Sequence, residues 1–289
     1  MDTTELIQRV RRIEIKTRRL SSNVLSGEYH SSFKGRGMAF SEVRQYQIGD
    51  DIRSIDWNVT ARKREPFIKV FEEERERTLM LLVDVSASES FGTTVQRKSD
   101  LATEVAASLA FSAIQNNDMV GVIFFTDRVE KFIPPRKGRQ HILTIIRELI
   151  ELKPEGKGTN IAAALEFLSG IQKKRAIAMI LSDFEDNNYE HSFKIAARRH
   201  DLTAIHLSDP AEWDLPSLGM IPLRNPETGE VEWTNTSSRK AKKYHRDRRE
   251  LSFRRFTQAC TQAGVGKVVL RTDQDYVKPL ITYFRSTHG

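Results

Sequence analysis

A single cysteine, Cys260, in 289 residues rules out an intramolecular disulfide and leaves no cysteine cluster to hold zinc or an iron–sulfur centre. The seven histidines fall at no metal-ligand spacing. Long apolar runs are missing too: MVGVIFF and AIAMIL are far too short to span a bilayer and suit buried strands instead. The N-terminal stretch MDTTELIQRVRRIEIKTRRL mixes acids and bases at helical spacing and lacks the apolar centre of a secretory signal, so a cytoplasmic location is expected. There is no internal repeat, no low-complexity tract, no Ser-His-Asp spacing and no phosphate-binding glycine loop, GKGTN being too short for that pattern.

What is there reads as a soluble globular chain, 39% hydrophobic and 29% charged, long enough to bury a sizeable core. The formal net charge of +7 is concentrated in one place. Between Arg239 and Arg255 nine Lys or Arg face only Asp247 and Glu250, so this one segment accounts for the whole excess. With few aromatics to stack bases and no recognised reading motif, it is expected to dock on an acidic protein surface rather than to bind nucleic acid. Cys260 reads as a small residue on a helix.

From Thr78 onward, strand and helix patterns alternate. TLMLLVDV, MVGVIFFT, AIAMILSD, LTAIHLSD and KVVLRT read as strands, and VEKFIP, ending in Pro134 and Pro135, as an edge strand. Between them lie helices over 97–117, 140–152, 159–171 and 189–199, with Leu101, Val105, Leu109 and Ile114 on one side of the first and Ile161, Leu165, Leu168 and Ile171 in register on the third. A hairpin is expected around Pro226 to Gly229, then the basic helix and a final amphipathic segment. The alternation predicts an α/β fold: a doubly wound, mostly parallel, Rossmann-type sheet with helices on both faces. Residues 1–77 read differently, as a helix followed by a small β-rich elaboration whose last strand, FIKVFEEE, leads into residues 78–289.

In such a sheet ligands bind in the crevice at the carboxyl ends of the strands. The run LLVDVSASES ends there with Asp84, Ser86 and Ser88, and two further oxygen-bearing turns should reach the same edge: GKGTN, with Thr159, and LSDFED, with Asp183. Hydroxyl and carboxylate oxygens without His or Cys make a hard site suited to Mg²⁺ or Mn²⁺. The plainer alternative is that Asp84 and Ser86 only cap a turn, which accounts for either residue alone but not for three converging turns. Truncating Asp183 or Thr159, at element ends facing a crevice, is expected to cost on the order of 1 kcal/mol of stability or less.

These five residues match in type and order the metal-ion-dependent adhesion site of von Willebrand factor A-like domains, and the chain resembles that family. The resemblance implies that Ser86 and Ser88 ligate the ion, that Thr159 binds it directly or through water, and that Asp84 and Asp183 act mainly through water, with magnesium often weakly held and an open position filled by a partner's carboxylate. Upstream, GRGMAFSEVRQYQIGDDIRSIDWNVTARKREPFIKVFEEERE closely resembles the signature of the family known as domain of unknown function fifty-eight, which joins this block to such a domain. Many of its members carry N-terminal transmembrane helices, from which this sequence departs. Genes of the family commonly neighbour those of MoxR-type AAA+ ATPases, which implies an adaptor role beside such a motor. Within the block, GDD (Gly49, Asp50, Asp51) is expected to turn the chain, Arg53 to pair with a nearby carboxylate, and Trp57, beyond Asp56, to pack the elaboration on the main sheet.

The leading expectation is therefore a non-catalytic, metal-dependent interaction protein. An enzyme is the first rival, because an Asp at a strand end also begins the phosphatase motif DxDx[TV]; Ser86, however, stands where that motif needs its second Asp. A nucleic-acid-binding protein using residues 239–255 is the second.

Overall fold

The computed structural model describes residues 3–20, 25–32, 39–72, 77–90, 96–224 and 231–286. Two units emerge, Met1–Ser32 together with Arg77–Gly289, and Phe33–Glu76. In chain order the elements are helices α1 (Thr3–Leu20) and α2 (Ser26–Ser32), strand β1 (Ala39–Gln45), helix α3 (Trp57–Lys63), strands β2 (Phe67–Glu72) and β3 (Thr78–Asp84), helix α4 (Lys98–Gln115), strands β4 (Met119–Phe125) and β5 (Val129–Arg136), helices α5 (Arg139–Glu151) and α6 (Ile161–Ile171), strand β6 (Ile177–Ser182), helix α7 (Glu190–Arg199), strands β7 (Asp201–Ser208), β8 (Met220–Arg224) and β9 (Val231–Asn235), helix α8 (Arg239–Ala263), strand β10 (Gly266–Arg271) and helix α9 (Val277–Ser286).

Six strands of the larger unit form one sheet in the order β10-β7-β6-β3-β4-β5. All neighbours are parallel except β5, which runs antiparallel along β4 at the edge. Strand β3 is buried along its whole length, as expected of a central strand covered on both faces. Alternation splits its side chains: Met80 and Leu82 join Ile123, Phe125, Ile161, Leu165, Leu168, Phe193 and Phe256 in a core beneath α6, α7 and α8. Leu79, Leu81 and Val83 point to the other face, which α4 covers. Edge strand β5 is only partly buried, so Pro134 and Pro135 sit where missing N–H donors cost least.

Helix α4 is buried on nearly every side rather than along one stripe, because α1 and α2 pack on it from outside. Leu6 and Ile13 of α1 are buried, Lys16 pairs with Glu104, and the Tyr29 hydroxyl of α2 donates to Asp118 at 3.3 Å. Ile171, the last of the four apolar positions anticipated on α6, is instead 37% exposed, since α6 ends there at the sheet border. Cys260 is buried and unpaired on α8, and burial pushes its thiol up to about 12. The turn expected at Pro226–Gly229 lies outside the described residues; the strands flanking it, β8 and β9, pair antiparallel.

In the smaller unit β1 pairs antiparallel with β2. The carboxylates of GDDIRSID each close a local turn: Asp51 accepts from the Arg53 N–H, and Asp56 caps α3 by accepting from the N–H groups of Asn58 and Val59. Asp50 is gripped by both guanidinium nitrogens of Arg44, at 2.8 and 2.7 Å, while among the described residues Arg53 forms no ion pair with a carboxylate. Trp57 is 71% exposed, and Ile48 and Ile52 are exposed as well.

Candidate metal centre

Strands β3 and β6 are parallel neighbours in register Val83↔Leu181, so the chain leaves both at the same edge and places Asp84 beside Ser182 and Asp183. The Ser182 hydroxyl donates to Asp84 Oδ2 at 2.6 Å, and the Ser86 N–H donates to Asp84 Oδ1 at 2.9 Å. Asp84 therefore does close the turn, as the plainer alternative supposed, while also facing the neighbouring strand. That turn runs into a short 3-10 helix, Ala87–Ser90, which brings the Ser86 and Ser88 hydroxyl oxygens to 3.0 Å of one another. After Asp183 the chain turns sharply at Phe184, whose positive φ of 54° is unfavourable for a bulky residue. Packing holds it there: its ring lies 4.4 Å from that of Phe256 and also meets Tyr189, Phe193 and His206.

Thr159 arrives from a different direction. The Asn160 N–H donates to the Thr126 carbonyl at the end of β4, the Asn160 side chain caps α6, and Asp186, beyond β6, accepts from the Ile161 N–H at 2.8 Å. Gly156 permits this approach, because a Cβ there would overlap the Thr126 hydroxyl. The Thr159 hydroxyl is buried and, among the described residues, has no hydrogen-bond partner. The structure thus gathers Asp84, Ser86, Ser88 and Asp183 at one edge and sets Thr159 in an adjoining turn, with no hydrogen bond to the other four.

Three residues not singled out in the sequence, Glu89, Lys98 and Glu212, and one expected only in the basic docking cluster, Arg249, join the site. Glu89 is buried, and one carboxylate oxygen from each of Asp84, Glu89 and Asp183 falls within 4.8 Å of the others. Lys98, the first residue of α4, is fully buried; its ammonium donates to Asp183 Oδ2 at 2.6 Å and to Glu212 at 2.8 Å. Glu212, from the short turn after β7, also meets Arg249 of α8, which reaches Glu185 as well. Glu89 carried a faint signal, an acid directly after Ser88 in ASES. Lys98 and Glu212 carried none, since nothing local in RKSDL or DPAEW announces burial.

Burial raises the Asp84 carboxyl to about 7, with the neighbouring Asp183 charge adding to it, and burial raises Glu89 well above the usual range. Asp183 goes the other way. Burial works against its charge too, but the Lys98 ammonium outweighs that and holds it down to about 2. Lys98 in turn is raised, the desolvation that opposes its charge being overcome by Asp183, Glu89 and Glu212. The expectation that Asp183 could be truncated almost freely is therefore corrected: it is no crevice residue lapped by water but half of a buried ion pair, whose breaking typically costs about 3–5 kcal/mol.

The donor set fits a hard divalent cation: among the described residues a Glu89 carboxylate oxygen and the Thr159 hydroxyl are buried without hydrogen-bond partners, while the likewise partnerless His206 Nδ1 lies among aromatic rings. Among the described residues the network holds four buried carboxylates, Asp84, Glu89, Asp183 and Glu212, beside the cations Lys98 and Arg249, and burial holds Asp84 and Glu89 toward their neutral forms.

A mostly parallel six-stranded sheet with one antiparallel edge and helices on both faces gives the chain a von Willebrand factor A-like fold. The chain belongs to the family described as protein of unknown function DUF58, whose model matches residues 42–252. It is 31% identical over 291 residues to the uncharacterized protein Rv1480 of Mycobacterium tuberculosis (strain ATCC 25618 / H37Rv), covering 99% of this chain and 91% of that one. It is 30% identical over 122 residues to the uncharacterized protein YeaD of Bacillus subtilis (strain 168), covering 42% of this chain and 27% of that one. Among solved structures, the conserved hypothetical protein BatB from Bacteroides thetaiotaomicron is 16% identical with a TM-score of 0.48, covering 73% of this chain and 98% of that one. Among the described residues no helix is long and apolar enough to cross a membrane.

Proposed function

We propose that this protein is a non-catalytic interaction module that grips a carboxylate of a protein partner through a divalent ion, Mg²⁺ or Mn²⁺, and that it serves as an adaptor to a MoxR-type AAA+ ATPase. The observation that carries the metal part is the set of buried, unclaimed oxygens beside paired hydroxyls at the carboxyl edge. Ser86, Ser88 and Thr159 would hold the ion, with Asp84 and Asp183 orienting its shell. When bound, the ion supplies positive charge to a partner's carboxylate. The family resemblance supports the motor partner.

The phosphatase reading fares worse against the geometry. A nucleophilic Asp needs a free, accessible oxygen, whereas Asp84 is buried and both its oxygens already accept hydrogen bonds. The test is a pull-down with a MoxR-type ATPase, with magnesium and with EDTA, comparing wild type with Asp84→Ala. Capture by wild type in magnesium alone is expected. Capture by both proteins regardless of EDTA would refute metal dependence.

A further inference from the structure

The carboxylate of Glu89 is only half used. Its Oε1 accepts from the Asp183 N–H at 3.0 Å, while Oε2 is buried and, among the described residues, has no hydrogen-bond partner. Leaving a buried carboxyl oxygen dry and unpaired is costly, so a native site calls for something to meet it. Lys98 does not: its ammonium hydrogen bonds run to Asp183 and Glu212, and none reaches Oε2. The same glutamate lies with Asp84 and Asp183 inside a span of 4.8 Å. Oxygens drawn to about 2.0–2.6 Å of a single ion lie within roughly 4–5 Å of one another. Glu89 sits in the 3-10 turn that also carries Ser88, so one turn presents a hydroxyl and a carboxylate together.

We infer that Glu89 is a direct anionic ligand of the divalent ion at this edge, contributing Oε2 alongside the Ser86 and Ser88 hydroxyls. The inference rests on the metal-binding part of the function proposed above and deepens it. A hydroxyl-dominated site holds magnesium weakly, and one added carboxylate raises the attraction for the ion in a region that water does not screen. The ion is then held by the protein alone, before any partner brings a carboxylate to it.

The substitution that isolates this role is Glu89→Gln. A glutamine carbonyl still accepts from the Asp183 N–H, so the turn keeps its bond and only the oxygen aimed at the ion is replaced. Mn²⁺ binding to the full chain, read by calorimetry and by the loss of the free-ion electron paramagnetic resonance signal, is compared among wild type, Glu89→Gln and Ser86→Ala, with melting in EDTA as a check on folding. One Mn²⁺ per wild-type chain, bound at least about tenfold more weakly by Glu89→Gln with unchanged melting, is the expected result. If Glu89→Gln binds as wild type does while Ser86→Ala loses the ion, the Glu89 assignment is overturned and the metal site stands. Absence of Mn²⁺ binding by wild type at millimolar concentration overturns both. Should Glu89→Gln fail to fold, wild-type crystals soaked in Mn²⁺ decide: an anomalous peak with Oε2 in its coordination sphere supports the assignment, and a peak elsewhere rejects it.

Discussion

At Lys98 an ammonium group lies fully buried and shared between Asp183 and Glu212, so a permanent cation borders the place where a mobile one would bind. Lys98→Met keeps the stem and removes the charge, and two opposite effects are expected from it. Without metal the fold should lose about 3 kcal/mol or more, because buried Asp183 loses its ammonium partner and Glu212 is left with Arg249 alone. Mn²⁺ affinity should rise, on the order of tenfold, since a like charge has left the neighbourhood. Urea unfolding in EDTA and Mn²⁺ titration measure the two; unaltered stability would show the pair to be dispensable. His206 offers a pH signature at the same scale. It is buried among Phe184, Phe253 and Phe256, and burial, with Lys98 and Arg249 adding and Asp183 opposing, depresses its pKa to about 3. The unfolded chain then takes up a proton below about pH 6.5 that the folded chain refuses, so this group's contribution to stability is intact above pH 6.5 and falls as pH falls toward 3. Asp84, raised to about 7, acts in the opposite sense over part of that range, so the comparison must be differential. Relative to wild type, His206→Phe should retain about 2 kcal/mol more of its neutral-pH stability at pH 5. Parallel curves for the two proteins would contradict the assignment.

Among the elements, α8 divides into two parts with different work. Its C-terminal part buries Phe256, Ala259 and Cys260 against the sheet. Its N-terminal part carries the basic cluster, in which Lys243 and Arg248 are exposed and Lys242 half-buried. Arg249, which shares their stretch of sequence, turns inward to Glu185 and Glu212 and belongs to the buried charge network instead. Neutralising Lys242, Lys243 and Arg248 to Gln, with Arg249 left intact, should therefore weaken salt-sensitive binding to an acidic protein partner several-fold without moving the melting temperature. Tight retention on DNA at physiological salt, lost in the same variant, would reassign this helix to nucleic acid.

For the whole molecule, the alternation of strand and helix was legible because buried strands and half-buried helices impose short periods on the chain. TLMLLVDV, MVGVIFFT and AIAMIL run apolar for no reason but coverage on both faces, and the oxygens of Asp84, Ser86, Ser88 and Asp183 could be placed at one edge from strand direction, whereas Thr159 sits in an adjoining turn. Side-chain partnership was not legible. Trp57 reads as a core residue by type and is largely exposed, and Asp50 pairs with Arg44 of β1, an arginine that nothing in the sequence singles out. Lys98 and Glu212 stand 114 positions apart and look like ordinary surface charges. They meet only because α4 starts, and β7 ends, at the edge where β3 and β6 release Asp84 and Asp183. Periodicity records which side of an element is dry, a local property of the chain. Which buried charge answers which depends on distances between segments remote in sequence, and those exist only once the sheet has assembled.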